Sequence, residues 1–270
     1  MHARCARCCR WPRALRRTLS GLTATLTRSH VTSSRSREVR VSDVTELTVV
    51  MATYNGSATI GRSLRSILGQ THLPVRVVVA DDGSVDDTVA MVREFAGIEV
   101  VPLEHVGLGA ALNAAIATVD TDFVAFLDDD DLWPIDRLEH HLAEFRADPA
   151  VDIVLGPTVN IVDGNGLTDA EAVEEHLRKV PVDPMLVRLL GATTMRATAM
   201  RSLGAIRTDI MHGATASWIS SPEATALTTS TTSELALYRM VHGANMGIVE
   251  PTLARQQWLD LVRERVQRQQ

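Results

Sequence analysis

The chain has 270 residues, 45% of them apolar, enough for one large or two small cores. Its charge is uneven: residues 1–40 hold ten arginines and one acid, Glu38, for +9, which leaves −15 on the other 230 and argues against nucleic acid as the main partner. All three cysteines (Cys5, Cys8, Cys9) fall in the first nine residues, so the rest has no disulfide framework and a reducing, cytoplasmic setting is expected; no apolar run reaches the ~18 residues of a membrane span.

Segment 1–44 is rich in Arg, Ser and Thr and nearly free of acids. That is the composition of a targeting peptide, and equally of translation upstream of a mis-called start in a GC-rich gene; Lys179, the sole lysine, fits the GC-rich reading. Disorder is expected on either account, and the basic charge leaves peripheral membrane association open. Cys5-x-x-Cys8 with His2 is half a zinc set without its second half.

From Glu46 onward, short apolar runs alternate with longer amphipathic ones. Leu47 to Ala52 reads as a buried strand, and 58–69 as a helix with Ile60, Leu64, Ile67 and Leu68 on one face. Val75 to Ala80 is a second strand, Asp86 to Phe95 a helix, Ile98 to Leu103 a third strand and Leu108 to Val119 an Ala-rich helix. Phe123 to Leu127 is a fourth strand and Ile135 to Phe145 a helix. The alternation predicts an α/β fold, a doubly wound, mainly parallel sheet with helices on both faces. Later, Val151 to Leu155 and Thr158 to Val162 read as strands, the second entering a tight turn at 163–166; Met195 to Leu203 reads as a helix. Residues 214–233, eleven Ser or Thr in twenty, read as a loop over the sheet edge or a disordered insertion. Glu234 to Val241 reads as a short helix, and Pro251 onward as a closing amphipathic helix carrying Leu253, Trp258, Leu261, Val262 and Val266.

Ligands of such sheets bind beyond the carboxyl ends of the strands. Three of those ends carry polar clusters: Thr53-Tyr54-Asn55-Gly56, Asp81-Asp82-Gly83-Ser84 and Asp128 to Asp131. Each alone is compatible with turn chemistry. Four consecutive carboxylates repel one another and raise each other's pKa, a cost that Mg²⁺ or Mn²⁺ removes; a solvated acidic loop or a helix N-terminus is the alternative. The placement of all three on one edge favours a site.

In order and spacing these clusters resemble family 2 glycosyltransferases of the GT-A fold, non-processive type. The residues that carry the resemblance are Met51-Ala-Thr-Tyr-Asn55, Ser66-Ile-Leu-Gly-Gln70-Thr71, Val79-Ala-Asp-Asp-Gly-Ser84 with Asp86, Gly107, Asn113, and Ala125 through Trp133. Leu237-Tyr-Arg239 and Pro251-Thr-Leu-Ala-Arg255 look like the family's late segments. The resemblance divides the domain into a nucleotide-sugar-binding half, 45–148, and an acceptor-side half, 149–270. It implies an inverting, metal-dependent transfer of sugar from a nucleotide-diphospho-sugar, UDP being the first choice, to an unknown acceptor. Thr53, Tyr54, Asn55, Asp82 and Asp128 would bind the nucleotide, with Tyr54 lining the base and Asp82 accepting from its ring N–H. Asp130, together with Asp128, would hold the Mg or Mn ion. Asp131 would orient the sugar or support the ligands, and Arg239 and His242 would contact the diphosphate; packed or solvated positions are the alternative for those two.

The family's general base is usually the Asp of a Glu-Asp pair ahead of a Leu-rich helix. The nearest match is Ser233-Glu234 before Leu235, Leu237, Tyr238 and Arg239, which makes Glu234 the candidate base and helix capping its alternative role. Aligning on Trp218 instead places Gly213-Ala-Thr-Ala-Ser217 there, with no carboxylate. An impaired relative that binds nucleotide-sugar or a protein partner without transfer is therefore the second reading. A nucleotidyltransferase is disfavoured because 53–62 offers only Arg62 where a basic, Gly-rich loop would hold a triphosphate.

Overall fold

Leu47–Thr53 is buried at every position and forms strand β1. Its side chains alternate between two cores, Val49 and Met51 facing one and Val50 and Ala52 the other, which explains an uninterrupted apolar run. The computed structural model describes residues 46–162, 167–180, 182–243, 245 and 251–267. Val44–Gln270 is one compact unit; the separate segment Met1–Asp43, and the disorder expected there, lie outside the described residues, as does the turn at 163–166.

The elements follow as α1 (Ile60–Leu68), β2 (Arg76–Asp81), α2 (Thr88–Val92), β3 (Ile98–Pro102), α3 (Leu108–Ile116), β4 (Phe123–Phe126), α4 (Arg137–Ala147), β5 (Ile153–Leu155), β6 (Thr158–Val162) and α5 (Ala170–Lys179). Then come β7 (Thr193–Arg196), α6 (Ala197–Ser202), α7 (Ala214–Ile219), α8 (Pro222–Ala226), β8 (Thr229–Thr231), β9 (Leu237–Val241) and α9 (Pro251–Gln267). Seven strands form one sheet in the order β3-β2-β1-β4-β7-β5-β8, so both halves of the domain build it. Only β7 runs antiparallel to its neighbours. Ile60, Leu64, Ile67, Leu138, Leu142 and Phe145 of α1 and α4 cover one face; Ala111, Leu112, Ala115, Met200 and Trp218 of α3, α6 and α7 cover the other. This is the doubly wound α/β fold expected from the sequence.

β6 and β9 pair separately, in parallel, and α5 packs on them through Val173 against Val159, Ile161, Tyr238 and Met240. An antiparallel bridge between Leu132 and Tyr238 joins this small sheet to the segment just after the four aspartates.

Three expectations need correction. Residues 214–233 are not a loop: they fold as α7, α8 and edge strand β8, anchored by buried Trp218, Ile219 and Ala224. Trp218 meets Phe126 edge-on at 6.1 Å and donates Nε1–H to Gly204 O at 2.9 Å. Ser221 caps α8 by accepting from Ala224 N, so part of the Ser/Thr content is capping chemistry. Glu234 to Val241 is not a helix; its apolar residues enter β9, because β6 offers a full ladder of hydrogen bonds. The helix expected over Met195 to Leu203 begins only at Ala197, its first two residues belonging to β7.

The C-terminal helix is present, and it packs through buried Ala254 and half-buried Leu261, which lies against Gly213, together with two polar contacts. Gln257 Oε1 accepts from His212 N at 2.7 Å and Glu264 pairs with Arg207 at 2.6 Å, whereas Leu253, Trp258 and Val262 are exposed. The side chain of Val266 lies outside the described part.

Candidate active site

β2, β1 and β4 are adjacent and parallel, so the three polar clusters stand side by side at one edge. Thr53 lies opposite Asp81 in register, while β4 ends three residues earlier, at Phe126 opposite Val50. That offset lets the chain after Leu127 fold across the end of β1. Thr53 Oγ1 donates to Asp129 Oδ2 in a very short hydrogen bond, and Ser63 Oγ donates to Asp129 O at 2.9 Å. A Cβ on Gly56 would overlap Asp129 Oδ2 and sit 2.6 Å from Thr53 Oγ1, so only glycine lets the backbone come this close. Arg62 spans the loop from outside, reaching Asp130 O at 3.3 Å and Leu167 O at 3.4 Å.

Each carboxylate has a different environment. Asp129 is pushed up to about 7, first by burial and then by the charges of Asp130 and Asp128, against the opposing pull of Thr53. Asp128 is open to solvent along one side, yet the protein around it and the Asp130 charge push it up to about 6, while Arg239 pulls the other way. Asp131 is buried and raised well above the usual carboxylate range, by burial and then by Asp130 and Asp128; the Met240 N–H donates to its Oδ1 at 2.8 Å. Asp130 Oδ2 faces His242 Nε2 at 3.1 Å and accepts from Asn245 Nδ2 at 2.9 Å. β9 thus carries Arg239 and delivers His242 to the aspartates, which the sequence placed near the diphosphate without showing how.

The remaining residues form a second group on the β1 and β2 ends. Asn55, at φ 52°, receives Val85 N–H on Oδ1 and donates its own N–H to Ser84 Oγ, both at 2.9 Å, so its side chain ties the two strand ends together. Asp82 is buried and its two oxygens accept from Val106 N at 2.6 Å and Gly107 N at 2.9 Å. Tyr54, half exposed, stacks on His105 with ring centroids 4.1 Å apart.

Glu234 does not join either group. It is exposed in the turn after β8, with Ser233 Oγ at 3.3 Å, and it leads into a strand rather than the helix expected of a Glu-Asp base. The order β4-β7-β5-β8 sets the end of β8 three strand spacings from β4, roughly 14 Å. The alternative alignment fits better locally: Ser217-Trp218 does sit on a helix, α7, against Phe126 of β4, and α7 contains no carboxylate.

Gln70 and Asn113, both motif residues, brace the frame. Gln70 Nε2 donates to Pro134 O at 2.7 Å and its Oε1 accepts from Leu138 N at 3.0 Å; Asn113 makes a two-way bond with the backbone of Ile206. Sequence reasoning missed Ser63, His105 and Asn245, the close approach at Gly56 and the buried role of Asp129. The signals available were the nearness of Asn245 to His242 and of His105 to motif residue Gly107.

A divalent cation suits this donor set. Among the described residues no three His, Cys, Asp or Glu side chains form a ready-made cage. One or two carboxylates plus substrate phosphates is the ordinary way to hold Mg²⁺. The Asp128 carboxylate, with no hydrogen-bond donor among the described residues, and Asp130 supply hard oxygens; burial first and neighbouring carboxylates second raise Asp128 and Asp129, a cost that a cation would relieve.

Residues 48–202, more than half of the chain, match the family described as Glycosyl transferase family 2. The chain belongs to that family. It is 32% identical over 128 residues to an uncharacterized glycosyltransferase of Nostoc sp., covering 46% of this chain and 39% of the relative. It is 35% identical over 100 residues to the Escherichia coli UDP-Glc:alpha-D-GlcNAc-diphosphoundecaprenol beta-1,3-glucosyltransferase, covering 36% and 40%. The matches thus span about two fifths of those curated relatives' length. Among solved structures, S. aureus TarS 1-349 in complex with UDP superposes at TM-score 0.57 with 20% identity, covering 73% of this chain and 61% of that one. A Pyrobaculum calidifontis mannosyltransferase in complex with GDP-Man and Mn2+ does so at 0.57 with 24% identity, covering 79% and 61%. Both are GT-A glycosyltransferases, and the likeness shows that this family 2 chain has their fold. No helix among its described residues is long and apolar enough to cross a membrane.

Proposed function

We propose that the chain is a metal-dependent, inverting glycosyltransferase that moves one sugar from a nucleotide-diphospho-sugar to an acceptor hydroxyl. The observation that carries this reading is the geometry of the β4 end: four carboxylates in sequence beside the ends of β1 and β2, with Asp130 Oδ2 facing His242 Nε2 at 3.1 Å and Arg239 on the adjoining β9. Asp128 and Asp130 would hold the cation, whose chemistry when bound is to stabilise the departing diphosphate. Arg239 and His242 add positive charge or hydrogen bonds to the same leaving group. Tyr54 and the Asp82 loop hold the base, and Asp131, fixed by Met240 N–H, sets the orientation of β9 against the aspartates.

In the transfer the acceptor oxygen forms a bond to the anomeric carbon as the bond from that carbon to the diphosphate breaks. The acceptor's proton passes to a general base; Glu234, the sequence's candidate, lies on this edge but outside both groups, and serves only if the acceptor binds toward β8. UDP is the first choice of nucleotide: the Escherichia coli relative is named for UDP-Glc and the TarS structure holds UDP, whereas the Pyrobaculum structure holds GDP-Man. The test is thermal unfolding with UDP, GDP and dTDP, each with and without Mn²⁺. A metal-dependent rise in Tm is expected with at least one of them, and no shift with any would sink the reading.

One observation favours a second reading. α7, the helix that stands beside β4, carries no carboxylate, and Glu234 lacks the helical setting of a base. A chain that binds the donor without transferring would show equal donor hydrolysis in wild type, Glu234→Ala and Asp130→Ala, with nucleotide binding intact in wild type.

A further inference from the structure

α9 has apolar side chains on two faces, and the domain covers only one of them. Ala254, Gln257, Leu261 and Glu264 recur at three- and four-residue spacing and form the inward stripe. That stripe rests on the loop before α7. A Cβ on Gly213, which sits at φ 79°, would stand 2.9 Å from Leu261 Cδ1; Gln257 Oε1 accepts from Met211 N and His212 N, and Glu264 pairs with Arg207. The outward stripe is Arg255, Leu259 and Val262, flanked by Trp258. Trp258, Leu259 and Val262 are 47%, 48% and 57% exposed. The indole meets Gly213 along one edge and leaves the rest in solvent. Apolar side chains scattered singly over a surface are ordinary, but three neighbours on one helix face mark an interaction surface.

Charge identifies what covers it. Among the described side chains of α9 the exposed charges are Arg255 and Arg263. The two acids, Asp260 and Glu264, are partly buried and each is tied to an arginine, Arg263 and Arg207 respectively. Arg255 pairs with no acid among the described residues. A second copy of this chain is a poor occupant, because the same face would set arginine against arginine with no free acid to answer it. An anionic lipid surface is complementary: aliphatic side chains enter the headgroup boundary, tryptophan sits at the interface and arginine meets phosphate. The whole chain carries −6, but charges more than ~8 Å apart are largely screened at physiological salt, so the local face governs.

We propose that the outward face of α9, centred on Arg255, Trp258, Leu259 and Val262, docks on an anionic lipid bilayer, with the helix lying in the surface rather than crossing it. The inference stands apart from the donor reading, yet it bears on the site. Arg207 O lies so close to Gly109 that no side chain fits there, and Gly109 belongs to the first turn of α3, just after Gly107, which donates to Asp82. α9 thus lies toward the strand ends that carry the polar clusters, and docking turns that edge toward the membrane surface.

Co-sedimentation of the full chain with vesicles tests this, using phosphatidylcholine alone and phosphatidylcholine with about one third phosphatidylglycerol. Wild type should bind the mixed vesicles about tenfold or more tightly than the neutral ones. Leu259→Ser/Val262→Ser should lose about tenfold or more on the mixed vesicles, because two aliphatic side chains no longer leave water. Arg255→Gln should lose about fivefold. Residues 1–40, with their +9, are present in every variant, so the differences report α9 alone. The substituted side chains are exposed, and an unchanged Tm is expected; should the double variant melt early, Arg255→Gln carries the test. Equal binding by wild type and variants overturns the proposal, as does a wild type that leaves the mixed vesicles unbound. Analytical ultracentrifugation examines the other occupant: a wild-type dimer that becomes monomeric in the double variant assigns the face to a second copy and overturns the lipid surface.

Discussion

Asp129 sits where a negative charge is costly: partly buried, beside Asp128 and Asp130, with Thr53 Oγ1–H as its one side-chain donor among the described residues. Its carboxyl is raised from 3.8 to about 7. Below about pH 3.8 folded and unfolded chains both hold this proton, and the stabilisation from the neutral form is fully present. As the pH rises toward 7 the unfolded chain has released it and the folded chain has not, so stability falls by about 1.4 kcal/mol per pH unit and levels off above that. Between about pH 5.5 and 8 the loss is roughly 2 kcal/mol, or ~4–8 °C in Tm for a unit of this size. Asp128, raised to about 6 but open to solvent on one side, adds a smaller fall of the same sign. Asp129→Asn keeps an oxygen to accept the Thr53 hydroxyl and has nothing to titrate. Melting curves in metal-free buffer with a chelator at both pH values should show a steep loss in wild type and a much flatter one in the variant, and histidine contributions cancel in the difference. Parallel losses in the two proteins would refute the assignment of the raised pKa to Asp129 and with it the electrostatic case for a cation there.

Gly56→Ala should force Asp129 and Thr53 apart at about 1–3 kcal/mol and lower Tm by several degrees, with metal-dependent UDP binding weakened in the same variant. Trp218→Ala removes the buried ring against Phe126 and the bond to Gly204; a loss of ~3–5 kcal/mol is expected, read from the urea midpoint. Asp130→Asn should keep the fold, as judged by circular dichroism, and abolish any Mn²⁺-dependent rise in Tm with UDP.

The first hundred residues of the domain were legible because a parallel strand covered on both faces has to be apolar throughout, as Leu47–Thr53 is, and because α1 must turn Ile60, Leu64 and Ile67 one way. The second half failed where structure depends on distant partners. Leu237–Val241 becomes a strand because it finds β6, nearly eighty residues earlier, and no local period announces that pairing. Thr229–Thr231 looked like loop but is an edge strand on β5, and α7 and α8 are too short to display a helical stripe. Both misreadings bear on the same question, since Glu234 gained its standing as a base from a helix that is really β9.

The candidate residues were legible in type and position, and not in their wiring. Strand ends and spacing singled out Tyr54, Asp82, Asp128 and Asp130 as candidates, and the structure sets them at one edge of the sheet. That the Asp82 carboxylate accepts from Val106 and Gly107 N–H, with the exposed His105 side chain beside it, is a fact of folded geometry. Two of the aspartates turn inward in the same way. Asp129 turns inward to Thr53 and Asp131 to Met240, which leaves Asp128 and Asp130 as the pair able to face a cation. Four carboxylates in sequence therefore divide into Asp129 and Asp131, which bond inward and build the loop, Asp130, which meets His242 and Asn245, and Asp128, which stands exposed. Gly56 and β9 hold the inward pair from either side.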